Sequence, residues 1–272
     1  MNYWLGSLFQ RNAHSIARRL YFAVLLRLKA VFSKRQSVHF VQINGTRYKR
    51  VVLGDSREAE LVESALYRAP DAAAFPSLIQ RHENELLMSF VDGRRFDPAS
   101  SDDRAGLAQF LGALYSMPRT GDTADRMRKR FDVDTAFLRS AGLIDAGLQD
   151  RLQHRADSVQ PAEVEVGLDY TDPVAKNFVI SDRRLFAIDI EALRDDAPIG
   201  IAIAKAGIHW LARDELPEFL DAVERCSGDV IRPQFDFVEL CFRVAWTKRK
   251  LLDGRHRAIR IELLEELVGS AA

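Results

Sequence analysis

The chain has 272 residues, 47% hydrophobic and 29% charged, enough apolar material for one large water-soluble domain or two lobes. Its 39 Lys and Arg balance 39 Asp and Glu, so no net charge draws it to nucleic acid. Two cysteines, Cys226 and Cys241, do not make a disulfide framework, and their spacing, without a histidine in a ligand pattern, does not suggest zinc. Both read as packing residues in a reducing compartment.

The charge is unevenly placed: residues 1–50 hold ten Lys or Arg and no acid, and the first carboxylate is Asp55. Leu5, Leu8, Phe9, Ile16, Leu20, Val24, Leu28 and Val31 recur at helical spacing, with Arg11, Arg18, Arg19 and Lys29 largely off that stripe. Residues 1–36 therefore read as a basic amphipathic helical segment. Its apolar face either packs on the protein or lies on an anionic membrane surface. The run from Tyr21 to Phe32 is broken by Arg27 and Lys29 and falls short of the roughly 20 residues that span a bilayer. The pattern of a secretory leader is missing as well. The expected location is cytoplasmic, at most peripheral on the inner face of a membrane.

Next, "VHFVQINGTRYKRVVLG" predicts a hairpin, strands Phe40–Ile43 and Thr46–Leu53 joined by Asn44-Gly45. Ser56 then reads as the N-cap of a helix over "REAELVESALYRA". Glu58 shares a face with Leu61, Val62 and Ala65, and an inward carboxylate needs a cation, which Lys49 or Arg50 can supply. An apolar strand from Glu85 to Val91 ends at Asp92-Gly93, followed by a polar linker and an amphipathic helix starting near Ser101. Residues 133–158 add helices, and Phe178–Ile180 and Leu185–Asp189 read as short strands. From Ala197 to Leu267 the pattern is helical, with Gly254 closing "DFVELCFRVAWTKRKLL". His209, beside Trp210 on an apolar helix, reads as a core residue rather than a ligand.

The order gives three parts: the basic segment 1–36, a small α+β lobe over 37–93, and a larger helical lobe over 94–272. Within the last, "YTDPVAKNFVISDRRLFAIDIEAL" (residues 170–193) holds Asp172, Asn177 five residues on, and Asp189 after an apolar strand. A turn pair accounts for the first two. An Asp between Ile188 and Ile190 is out of place in a strand unless it binds something. Phosphoryl transfer needs hard oxygen donors for magnesium and a carboxylate for the attacking hydroxyl, and this spacing can supply all of them.

The set resembles the aminoglycoside phosphotransferase and choline kinase branch of the protein-kinase-like fold. "TDPVAKN" resembles the catalytic loop H-G-D-x-x-x-x-N, and "FAIDIEAL" the second metal motif. "LLMSFVDGRRF" resembles the hinge, and "SREAELVESAL" the helix whose Glu pairs with the nucleotide lysine. The resemblance runs from about Val38 to about Ala206. It implies a two-lobed α+β kinase-like fold with a reduced N-lobe, using ATP and Mg2+. It implies Asp172 as catalytic base, Asn177 and Asp189 as metal ligands, and Lys49 on the α- and β-phosphates, held by Glu58. Met88, Ser89 and Phe90 would meet the adenine through backbone groups. Tyr170 and Thr171 replace the usual His and Gly, Gly200 stands where an Asp is frequent, and no Gly-rich phosphate loop is recognisable. The implied activity is phosphorylation of a hydroxyl on a small molecule, sugar or envelope glycolipid such as lipopolysaccharide. An inactive scaffold binding a membrane or partner, and a protein kinase relative, are the alternatives.

Overall fold

The computed structural model describes residues 37–269, so the expected basic segment 1–36 lies outside the described residues. Strands β1 (Ser37–Ile43) and β2 (Thr46–Val52) form the predicted hairpin. Asn44 and Gly45 take φ of 49° and 82°, the two positive values that a type I′ turn demands. Helix α1 (Ser56–Arg68) buries Ala59, Val62 and Ala65. Its N-cap is Asp55, not Ser56: Asp55 Oδ1 accepts the Glu58 N–H at 2.8 Å, and Glu58 Oε2 accepts the Gly54 N–H at 2.9 Å. Asp and Glu thus cap the helix reciprocally, and Ser56 falls inside its first turn.

Strand β3 (Leu78–His82) lies in the connection that the residue pattern left unassigned. Strand β4 (Glu85–Ser89) stops two residues short of Val91. The antiparallel order is β1-β2-β4-β3, and the register sets Lys49 opposite Met88 and Tyr48 opposite Ser89. Val51, Leu53, Leu86 and Met88 from this sheet, Ala59 and Val62 from α1, and Ile190 form one fully packed cluster. Burying such aliphatic side chains stabilises by about 1.5–3 kcal/mol each. Met88 is therefore a core residue that holds the hinge from beneath.

The chain continues through β5 (Arg94–Arg95), α2 (Ser101–Tyr115), β6 (Thr120–Thr123), α3 (Ala124–Ser140) and α4 (Ala146–Val159). Then come β7 (Glu163–Tyr170), β8 (Phe178–Ser181), β9 (Arg184–Ala187), β10 (Leu193–Pro198), α5 (Ile201–His209), α6 (Leu216–Ser227), α7 (Arg232–Leu252) and α8 (Glu262–Gly269). The expected α+β class, a small sheet lobe followed by a larger helical one, is what the chain has. Strands β7 and β10 pair antiparallel, and β8 lies between β5 and β9. His209 is exposed, not in the core, and Cys226 is exposed while Cys241 is buried. Among the described residues no helix is long and apolar enough to cross a membrane.

Two compact units result: residues 37–122 with 164–235, and residues 123–163 with 236–269. In the second, Glu239 and Arg243 form a buried i,i+4 pair at 2.7 Å, and Arg243 also donates to the Leu263 carbonyl at 3.1 Å. The first unit holds every predicted site residue.

In that unit α2 and α6 approach closely at Gly112, where a Cβ would sit 2.4 Å from Cys226 Cβ. Ala normally gains about 0.5–1 kcal/mol over Gly inside a helix. Gly112→Ala should instead destabilise by about 1–3 kcal/mol, because neither helix backbone can retreat. At Gly106 on the same helix a Cβ meets only Leu185 at 3.8 Å, ordinary contact, so Gly106→Ala should stabilise. Paired thermal melts check the two opposite signs.

Candidate active site

The β8–β9 hairpin explains how residues seventeen positions apart meet. Its turn places Asp182 and Arg183 at φ of 48° and 63°, folding the chain back on itself. Asp172 and Asn177 precede the hairpin, and Asp189 follows it. The returning strand is stitched to the loop: Ile188 N–H donates to the Asn177 carbonyl at 2.8 Å. Thr171 N–H and Oγ1 both donate to the Ala192 carbonyl, at 2.8 and 3.1 Å. Asp189 is not the end of a strand, as the pattern suggested. It lies beyond β9, at the start of a 3-10 turn over Ile190–Ala192. An Asp there costs the sheet nothing.

Asn177 is buried, and its Nδ2 donates to the Asp172 carbonyl at 2.9 Å and to Asp172 Oδ2 at 3.1 Å. With the nitrogen committed to the loop, the amide oxygen is left as the group to offer a metal. The other Asp172 oxygen, Oδ1, is paired with the ammonium of Lys205 on α5. Lys205 was not among the predicted site residues. A lysine inside the apolar run "IGIAIAKAGIHW" was the available signal, since such a charge must have a partner.

Lys49, not Arg50, points at this loop. Lys49 Nζ donates to the Ile188 carbonyl at 2.5 Å, and burial pulls its pKa down while Asp189 and Glu191 oppose that shift. Arg50 lies on the other face of β2, where its Nε donates to Glu85 at 2.9 Å. Alternation along the strand leaves only one of two neighbours facing inward. The carboxylates acting on Lys49 are thus Asp189 and Glu191, while Glu58 caps α1 through Gly54. At the hinge, Ser89 N–H donates to the Ser77 carbonyl and Ser77 N–H to Ser89 Oγ, both at 2.8 Å. Phe90 packs edge-on against Phe40 at 5.7 Å and under the Arg47 guanidinium at 4.0 Å.

Helix α5 holds the loop from behind. The fully buried carboxylate of Asp169, at the end of β7, accepts the Ala202 N–H at 3.1 Å and the Tyr115 hydroxyl at 3.0 Å. The Gly200 backbone also lies close enough to favour the charged form. Gly200, at φ 105°, opens the helix with no side-chain cap of its own, so Asp169 supplies the cap from the neighbouring strand. At the far end of α5, Trp210 Nε1 donates to the Pro173 carbonyl at 2.9 Å. Tyr170, in place of the usual His, is wedged among Phe75, Phe110 and Phe178. Its buried hydroxyl lies beside the Asp189 backbone without closing a well-formed hydrogen bond. Burial, then the charges of Asp189 and Asp172, hold that phenol neutral.

This architecture matches solved structures over nearly its whole length. A macrolide 2'-phosphotransferase type I aligns at TM-score 0.60 and 16% identity, covering 95% of this chain and 98% of that one. Choline kinase LicA from Streptococcus pneumoniae aligns at 0.59 and 11%, covering 92% and 98%. A thermostable aminoglycoside phosphotransferase mutant, in ternary complex with ADP and hygromycin B, aligns at 0.58 and 14%, covering 92% and 99%. The chain has the aminoglycoside phosphotransferase and choline kinase form of the protein-kinase-like fold. No protein-family model and no curated protein matches the sequence.

No cluster of three His, Cys, Asp or Glu suited to a metal occurs among the described residues. Magnesium, however, commonly takes one or two protein oxygens and completes its shell with water and phosphate. The Asn177 amide oxygen and the Asp189 carboxylate fit that demand.

Burial raises the Asp169 pKa from 3.8 to about 6, against its hydrogen bonds, which favour the charged form. The folded state therefore holds the proton more tightly than the unfolded chain. Stability from this group is complete below about pH 3.8 and is lost as pH rises through about 6. The loss is about 3 kcal/mol, at 1.36 kcal/mol per unit. Asp169→Asn keeps one acceptor for Ala202 and removes the titration. The variant should gain on wild type as pH rises from 4 to 7, and an unchanging difference in Tm would contradict this.

Proposed function

We propose that the chain is an ATP- and magnesium-dependent phosphotransferase acting on a hydroxyl of a small molecule. The carrying observation is the convergence of Asp172, Asn177 and Asp189 at one loop junction, with Lys49 directed at the same junction from the sheet. In this reading Asp172 orients the acceptor hydroxyl and takes its proton. Asn177 and Asp189 hold the metal, and Lys49 meets the nucleotide phosphates with Asp189 and Glu191 steadying its charge. Met88, Ser89 and Phe90 present the hinge backbone to the adenine. Glu58 contributes indirectly, by fixing α1 beside the sheet. When bound, magnesium neutralises phosphate oxygens and holds them in line with the attacking group.

Among acceptors, the envelope glycolipid is favoured by the arginine-rich sequence of residues 1–36, which suits an anionic lipid surface. Lys205 beside the base points the same way, since a cation there does not favour a polycationic acceptor.

The test is ATP consumption with magnesium across macrolides, aminoglycosides, choline and envelope glycolipids. Acceptor-dependent turnover is expected. Asp172→Ala should lower kcat by about 10²–10⁴-fold with KM for ATP little changed, and Asp189→Ala should remove magnesium dependence together with turnover. Both should still fold and melt cooperatively, as Asp172 and Asp189 are each partly solvent-facing. Turnover that survives both substitutions would end the proposal.

A further inference from the structure

The ion pair between Lys205 and Asp172 has a consequence beyond holding the loop, and it rests on the phosphotransferase reading above. Lys205 leaves only 17% of its side chain exposed and sits on the second turn of α5. Its ammonium has three N–H donors, and the recorded partner, Asp172 Oδ1, takes one. The lysine within the loop itself, Lys176, is exposed to solvent.

A general base in phosphoryl transfer brings its own electrostatic problem. The carboxylate must lie within hydrogen-bonding distance of the attacking oxygen, hence only a few ångströms from the oxygens of the group being transferred. Asp189 and Glu191 add two further negative charges nearby, and Lys49, which feels those two, reaches the junction from the sheet, at the Ile188 carbonyl. An anion approaching Asp172 needs a cation on the same side as the base. The described residue placed there is Lys205, bonded to the very carboxylate in question. Its two remaining donors can meet anionic oxygens without breaking that bond.

We propose that Lys205 is a substrate-contacting residue that binds the terminal, transferred phosphoryl group of the nucleotide. A lysine that served only to clamp the loop would affect all nucleotides alike. One that meets the terminal phosphoryl group distinguishes a triphosphate from a diphosphate.

The experiment is calorimetric titration of full-length wild type, Lys205→Met and Lys205→Arg with a non-hydrolysable ATP analogue and with ADP, each with magnesium. No acceptor is needed. Lys205→Met should weaken the triphosphate analogue about tenfold or more and leave ADP within about twofold, and Lys205→Arg should recover part of the loss. Thermal melts establish that each variant is folded, and Lys205→Arg carries the test if Lys205→Met is not, through an altered ratio of the two affinities. Equal weakening of both nucleotides, or of neither, overturns the inference and makes Lys205 a structural clamp. Failure of wild type to bind either nucleotide overturns the phosphotransferase reading itself, and this inference with it.

Discussion

The buried carboxylate of Asp169 is the tie on which the site depends. It joins the end of β7 to the opening of α5 and to Tyr115 of α2, so three elements meet at one group. Taking an ion out of water costs several kcal/mol, and each hydrogen bond to a charge returns about 1.5–3 kcal/mol. The balance is close, which is why the Asp169 pKa rises only to about 6. The left-handed Gly200 lets the helix turn its N–H groups towards the strand. With α5 fixed at that end, Lys205 and Trp210 are carried to Asp172 and to the Pro173 carbonyl. The loop is thus held at Asp172 by one residue of the helix and at Pro173 by its C-terminal cap.

That grip accounts for departures from the familiar loop sequence. A frequent Asp is missing at Gly200, yet a carboxylate still caps α5, delivered by Asp169 from the strand. Tyr170 replaces an imidazole with a larger ring, and its stability comes from three aromatic neighbours rather than from a polar brace. The electrostatics then follow from count and distance. Three carboxylates, Asp172, Asp189 and Glu191, face two ammonium groups, Lys49 and Lys205. At 4 Å and an effective dielectric of 20, each unit pair is worth about 4 kcal/mol. One negative charge is left over, so under the proposed function a triphosphate would enter only together with a further cation.

Much of this is legible in the chain itself. Asn44-Gly45 fixed the hairpin through backbone chemistry, and the spacing of Asp172, Asn177 and Asp189 is a property of the chain. Other parts depended on tertiary partners. "LRDDAP" has no strand signal, and β10 exists because β7 offers it a ladder. Lys49 and Arg50 are equal in sequence, and only sheet pairing decides which faces the loop. Asp55 and Ser56 are both good caps, and the choice lay in where the helix began. Lys205 and Asp169 were missed because each looked like an isolated charge. Their partners are 33 positions away or on a different element.

The most direct test of the account is covalent labelling of the full-length protein with an acyl-phosphate derivative of ATP, which acylates amines beside bound phosphates. Peptide mapping should place the label on Lys49, on Lys205 or on both, and excess ATP with magnesium should suppress it. Labelling confined to exposed lysines such as Lys176, and indifferent to ATP, would mean that this loop junction is not a nucleotide site.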